Sequence, residues 1–260
     1  MSHKYIKTAN GLEPAHHLTD SQAKKKGAFG SVTTALSMVK DAFLDEVWKP
    51  KKYVLSTESM PRQPGENDDA FVERIKSHMW GIRTRWDGVQ FPSSDFGTAI
   101  HNQLEKWNED HAYQFAPEWA MYCEGWPVEY HKLFEETLAA EKIVADEDFW
   151  IAGTIDLLAL DHNGKVSLAD FKVRGAFKGG KGFTAKKDIQ QLAIEAEIIR
   201  KEYMLGYFPQ CYSVIVDCES GEYYVHKWTP YMMEKGLREA KAIIACYNVL
   251  EGYGPQGGAQ

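Results

Sequence analysis

The sequence predicts an α+β fold in which a helical first half precedes a strand-rich core. Three observations carry that reading. Apolar residues recur at helical spacing between positions 31 and 108. Past Glu141 the texture changes to β-branched and aromatic runs. Two of those runs are joined by Asp161-His162-Asn163-Gly164, a strong hairpin signal. With 260 residues, 44% hydrophobic and 26% charged, the chain can bury a full core and is too apolar to be disordered.

The elements follow in order. Residues 1–30 read as a flexible lead-in. Ser31 is a plausible N-cap for a helix to about Trp48, with Val32, Leu36, Val39, Phe43 and Val47 on one stripe and Pro50 as its stop. Residues 61–69 are a polar loop, after which Asp68 or Asp69 caps a helix carrying Phe71, Ile75, Met79 and Ile82. A third helix covers 96–108, with Phe96, Ile100, Leu104 and Trp107 apolar, and a weaker helical segment covers 127–140. Strands are expected at 142–144, 149–160 and 165–173, then a helix at 186–203. Strands at 211–217 and 222–228 around Glu219-Ser220-Gly221 precede a last helix at 230–250. The division is a helical subdomain at 31–140, a core at 141–251 and a flexible tail at 252–260.

Charge is uneven. The net −7 argues, as an average, against a nucleic-acid partner. Residues 1–53 nevertheless carry 9 basic and 5 acidic side chains, residues 54–150 carry 8 and 19, and residues 151–260 carry 13 of each. The stretch 172–187 holds Lys172, Arg174, Lys178, Lys181, Lys186 and Lys187, no acid and four glycines. It reads either as a solvated loop or as a loop that grips phosphate. No apolar run is long enough for a membrane helix, and the start lacks a signal or transit pattern, so a cytoplasmic protein with no membrane partner is expected. Cys123, Cys211, Cys218 and Cys246 form no C-x-x-C, which argues against a zinc ribbon or redox dithiol.

The chemistry concentrates on the central hairpin. Asp170 and Lys172 alternate along one strand and share a face. Whether Asp156 joins them depends on the loop. A two-residue turn would set Asp156 against Phe171, whereas a three-residue loop with Gly164 left-handed sets it against Asp170. Converging carboxylates are costly without a cation, and oxygen ligands with open positions suit Mg²⁺ or Mn²⁺. A lysine beside such a cation stabilises charge developing on a phosphoryl group.

The runs Gly153-Thr154-Ile155-Asp156, Leu168-Ala169-Asp170-Phe171-Lys172 and Gln191-Leu192-Ala193-Ile194 resemble the PD-(D/E)XK nucleases of the RecB-like exonuclease type. Upstream, Ser31-Val32-Thr33-Thr34-Ala35-Leu36 followed by Trp48, and Gly97-Thr98-Ala99-Ile100-His101-Asn102-Gln103-Leu104-Glu105, match two further motifs in the same order. The phage and mitochondrial genome maintenance exonucleases are the most similar group. The resemblance implies a restriction-endonuclease-like core, a mixed sheet flanked by helices. Asp156, Asp170, Lys172 and Gln191 would be catalytic. His101, Asp156, Asp170 and the Phe171 carbonyl would hold one or two Mg²⁺ or Mn²⁺. Ser31, Arg174, Lys178, Lys181, Lys186 and Lys187 would contact DNA, and Trp80, Trp86, Phe91 and Trp107 are aromatics available for stacking, although Trp107 fits the core better.

The implied function is hydrolysis of DNA from a free, single-stranded or duplex end, leaving 5′-phosphate and 3′-hydroxyl products. The setting would be phage-type processing, recombination or repair in a bacterial host, alongside phage or host recombination proteins. An endonuclease on the same core and a non-catalytic DNA-binding accessory protein are the alternatives. Two departures stand out. Glu195 occupies a position where the family has tyrosine, and reads as an exposed helix residue. The cysteine spacing lacks the tight pair of the iron–sulfur relatives, so no iron–sulfur cluster is expected.

Overall fold

Among the described residues, six strands form one mixed sheet with helices on both faces. The computed structural model describes residues 4–9, 11–15, 18, 20–36, 62–67, 70–71, 82–175 and 186–254. Within them the order is β1 (Tyr5–Thr8), β2 (Gly11–Pro14), α1 (Asp20–Lys25), β3 (Gly30–Ser31), α2 (Val32–Leu36), β4 (Ile82–Thr84) and β5 (Gln90–Pro92). There follow α3 (Ser93–Glu109), α4 (Pro117–Cys123), α5 (Trp126–Leu133), β6 (Phe134–Asp146), β7 (Ile151–Asp161) and β8 (Val166–Arg174). The chain closes with α6 (Lys186–Glu202), β9 (Gln210–Asp217), β10 (Tyr223–Lys227) and α7 (Pro230–Glu251). The sheet runs β10-β9-β8-β7-β3, with β6 on the other side of β7. β8 is parallel to β9 and β3 to β7; the other pairs are antiparallel.

The apolar stripes decide the layering. Phe96, Ile100 and Leu104 of α3 pack with Trp119, Trp126 and Tyr130 on the sheet face that presents Leu157, Phe171 and Val214. Ile189, Leu192 and Ile199 of α6 and Met233 of α7 cover the opposite face at Leu158, Leu168 and Cys211. The α+β class and the mixed sheet flanked by helices are therefore as expected.

Several elements differ from expectation. The segment 127–140 is not one helix, because α5 ends at Leu133 and β6 begins at Phe134. Register shifts at 134/136 and 137/139 break the two-residue alternation that would have revealed a strand. Ile82 belongs to a strand, paired with Pro92, and not to a helix. Asn67 Oδ1 accepts the Ala70 N–H at 2.8 Å, a capping contact one residue ahead of the expected aspartates. Residues 37–48 and 72–81, which carry most of the first two expected helices, lie outside the described residues. The lead-in contributes structure too: β1 and β2 form a hairpin. Tyr5 is buried, and Phe29 stacks on Trp150 with centroids 4.7 Å apart.

The β7–β8 loop is the three-residue form. Leu160 pairs with Val166 and Leu157 with Ala169, and the Asp161 N–H donates to the Lys165 carbonyl at 2.9 Å. Asp161 Oδ1 also accepts from the N–H groups of Asn163 and Lys165, which fixes the turn from within. Gly164 has φ +70°, where a side chain is strained. Replacing it by alanine is expected to cost about 1 kcal/mol in urea unfolding, and asparagine there should cost less.

Candidate metal centre

Beyond the Leu157–Ala169 pair the two strands part, and the next positions in that register are Asp156 and Asp170. β8 stays with β9 as far as Arg174, while β7 takes β3 as a neighbour at Ile151 and Ala152. Asp156 sits in the mouth of this fork, where its Oδ2 accepts the Phe171 N–H at 2.6 Å. On its other side Ala140 pairs with Leu157 and Lys142 with Ile155, so Glu141 of β6 stands across from Asp156. Glu141 has φ +46°, a left-handed turn inside a strand. Three adjacent strands therefore each deliver one acid to the fork.

The buried stripe of α3 fixes where His101 points. Ile100 is sealed in the core, and His101 beside it faces the fork, with Nδ1 3.7 Å from Asp156 Oδ2. Its ring meets Phe171 edge-on, with centroids 6.0 Å apart. One ligand atom from each of His101, Glu141 and Asp156 lies within 4.8 Å of the others. They line a cleft of about 640 Å³ that also exposes Glu105, Thr154 and Lys172.

The electrostatics mark this as a place that lacks positive charge. Burial holds the His101 imidazole below its usual pKa, leaving it neutral with a lone pair to offer. Burial, then the Asp156 charge, pushes Glu141 up to about 8. Burial likewise raises Asp170 to about 7, although Lys172 pulls the other way. Lys172 is opposed by burial too, but Asp170 and Asp156 outweigh it and hold its ammonium above the ordinary lysine range.

Asp170 is fully engaged on one side and bare on the other. Its Oδ1 accepts from Lys172 Nζ at 2.5 Å and from Gln191 Nε2 at 3.3 Å. Its Oδ2 is buried and has no hydrogen-bond partner among the described residues. An orphaned carboxylate oxygen, a neutral imidazole and two further carboxyls are a donor set that could hold a metal ion. Of the expected ligands, His101 and Asp156 fall in the tight trio. Asp170 stands beside it on Lys172 and Gln191, and Phe171 brings its ring against His101 and its backbone N–H to Asp156. Glu141 was not singled out from sequence. The one signal available was its register opposite Asp156, which follows once β6 is known to start at Phe134.

Glu195 is not exposed, as sequence alone suggested. It is 1% accessible, facing the fork from α6 between Leu192 and Ile199. Its Oε1 accepts from Gln191 Nε2 at 3.2 Å, so one amide bridges Glu195 and Asp170. Burial first, then the charges of Asp170 and Asp156, keep its pKa well above normal. A Cβ at Gly153 would stand 3.2 Å from Glu195 Oε1 and 3.3 Å from Val32 Cγ2, so the motif glycine makes room for this carboxyl.

The expected phosphate contacts fare differently from one another. Ser31 is buried, and its hydroxyl sits on Thr33 Oγ1 and the Thr34 N–H, which makes it a cap facing inward. Arg174 donates to the buried Asp188 at 2.7 Å, tying the end of β8 to α6. Lys187 reaches solvent in the first turn of α6, its pKa lowered by partial burial and by the Lys172 charge. Lys186 opens that helix, while Lys178 and Lys181 lie outside the described residues. Trp107 is core, Phe91 packs on Phe96 and Trp119, and Trp86 is exposed; Trp80 is outside the described residues.

No family model matches the chain, and no curated protein matches it in sequence. Among solved structures it is similar to a protein from Eubacterium rectale described as a "Putative exonuclease", at 12% identity and a TM-score of 0.34, over 85% of this chain and 68% of that one. It is also similar to the protein SSO0001, at 11% identity and a TM-score of 0.30, over 77% and 88%. No described helix is long and apolar enough to cross a membrane.

The raised carboxyls set a pH signature. Without metal, Glu141 and Asp170 hold protons in the folded chain that ordinary carboxyls release in the unfolded one. The folded state then binds more protons between about pH 4 and pH 8, so stability falls as pH rises through that window. In urea titrations Glu141→Gln should flatten the upper part of that fall. Adding Mn²⁺ near pH 6.5 should release about one to two protons per chain, read by calorimetry in two buffers of different ionisation enthalpy.

Proposed function

We propose that this protein is a metal-dependent deoxyribonuclease of the PD-(D/E)XK type, acting as an exonuclease on a free DNA end. The observation that carries the reading is the meeting of two groups in one cleft. His101, Glu141 and Asp156 converge there, and Lys172, held by Asp170, lines the same cleft. When bound, a divalent cation would supply Lewis-acid charge to a phosphodiester and lower the pKa of a water molecule.

The side chains divide the remaining tasks. His101, Asp156 and Glu141 offer the ligand atoms. Asp170 fixes the Lys172 ammonium in the cleft and keeps it charged, where it offsets negative charge gathering on the phosphoryl oxygens. Gln191 holds Asp170 from behind, so the lysine is positioned by packed groups rather than by solvent. The same geometry would serve an endonuclease, and topology of the substrate separates the two.

With Mn²⁺, linear DNA should be degraded from its ends while circular single-stranded DNA stays intact. Linearisation of the circle would establish an endonuclease instead. Asp156→Asn and Lys172→Ala should each slow release of acid-soluble nucleotide by at least about a hundredfold while leaving the fold intact by circular dichroism. DNA binding by wild type with no cleavage under either metal would assign the accessory-protein role.

A further inference from the structure

The β4–β5 hairpin stands next to the cleft and is not used by the metal centre. β5 ends at Pro92, and the following Ser93 and Ser94 line the cleft. Arg83 pairs with Phe91, two positions from that wall, and its guanidinium packs against Gly175, Nη1 lying 3.3 Å from where a Cβ would stand. Gly175 follows the end of β8, three residues past Lys172, roughly 10 Å along a strand. Among the described residues no carboxylate pairs with Arg83.

The hairpin tip is built, not loose. Arg85 N–H donates to the Val89 carbonyl at 2.8 Å, and Gly88 turns the chain at φ +87°. Arg85 also neutralises Asp87 through two contacts of 2.9 and 2.5 Å and lies over the rings of Phe91 and Trp119. That leaves Arg83 as the uncompensated charge of the hairpin. Trp86 is clamped to α4 through its own N–H on Tyr122 Oη at 3.1 Å and its Nε1 on the Glu118 carbonyl at 3.0 Å. It remains 58% exposed despite both bonds. A large aromatic ring held rigidly in water, three residues from an unpaired arginine on a hairpin whose other end adjoins the cleft, has the chemistry of a nucleobase platform.

We propose that this hairpin guides single-stranded DNA into the cleft, with Trp86 stacking an unpaired base and Arg83 holding a backbone phosphate. The proposal rests on the nuclease reading and narrows it to a substrate that is single-stranded at the entrance. A base inside a duplex has both faces already covered by its neighbours, so only an unpaired base can lie on the indole.

Fluorescence anisotropy of a labelled oligothymidylate in EDTA tests binding with cleavage switched off. Trp86→Ala should weaken single-strand binding by about 5- to 150-fold, while Trp86→Phe stays within about threefold of wild type and a blunt duplex of equal length is bound unchanged. Arg83→Gln should lower the slope of log affinity against log salt by about 0.7, and this variant decides the question if Trp86→Ala fails to fold. Single-strand binding by Trp86→Ala within about twofold of wild type, equal losses on duplex and single strand, or an unchanged salt slope for Arg83→Gln would each overturn the proposal. Cleavage is scored separately with Mn²⁺. A guide effect without cleavage sinks the nuclease reading alone, and cleavage without a guide effect sinks this inference alone.

Discussion

Where β7 and β8 part, the Asp156 carboxylate takes the Phe171 N–H that a strand partner would otherwise have satisfied. A buried backbone donor cannot be left without a partner, so the fork can open only because an acidic side chain closes its apex. The rest of the region depends on that substitution. Opening the fork lets β3 pair with the free edge of β7, gives α3 a place to set His101, and leaves Asp170 facing α6. The polar cluster lies between two apolar layers that hold it still from both sides.

Concentrating four acids in such a place is expensive in the absence of positive charge, and the molecule handles them in two ways. Asp170 is held by an ammonium and an amide. Glu195 sits beyond reach of solvent, held by the same amide and kept from ionising by burial. Asp156 takes only the Phe171 N–H, and both it and Glu141 open onto the cleft. Carboxyls sealed against side chains and carboxyls available to a ligand thus sit side by side, and access to the cleft, not sequence, distinguishes them.

Much of this was legible in the chain. The turn at Asp161, Asn163 and Gly164 could be read, and parity stated the condition: only a three-residue loop opposes Asp156 to Asp170, and the register of β7 with β8 supplies it. The stripes of α3 and α7 were equally plain, because their apolar residues keep helical spacing. Glu141 escaped for the converse reason. It lies in a strand whose register slips twice, and its left-handed backbone leaves no mark in the residue pattern. Glu195 misled because a charged residue on a helix is normally solvated, and only the space left by Gly153 across the sheet shows otherwise. Arg174 looked like part of a basic surface because its partner Asp188, beyond the last lysine of that run, is distant in sequence and adjacent in space.

That ion pair sets one element against another. Arg174 and Asp188 meet at 2.7 Å and bracket the thirteen positions between them. The ends of that segment are set by the pair, and doubling the length of a loop with fixed ends adds only about 0.6 kcal/mol of closure entropy. What the pair holds constant is the seat of β8 against the first turn of α6, so Lys172 and Gln191, one on each element, reach the same aspartate however far apart they stand along the chain.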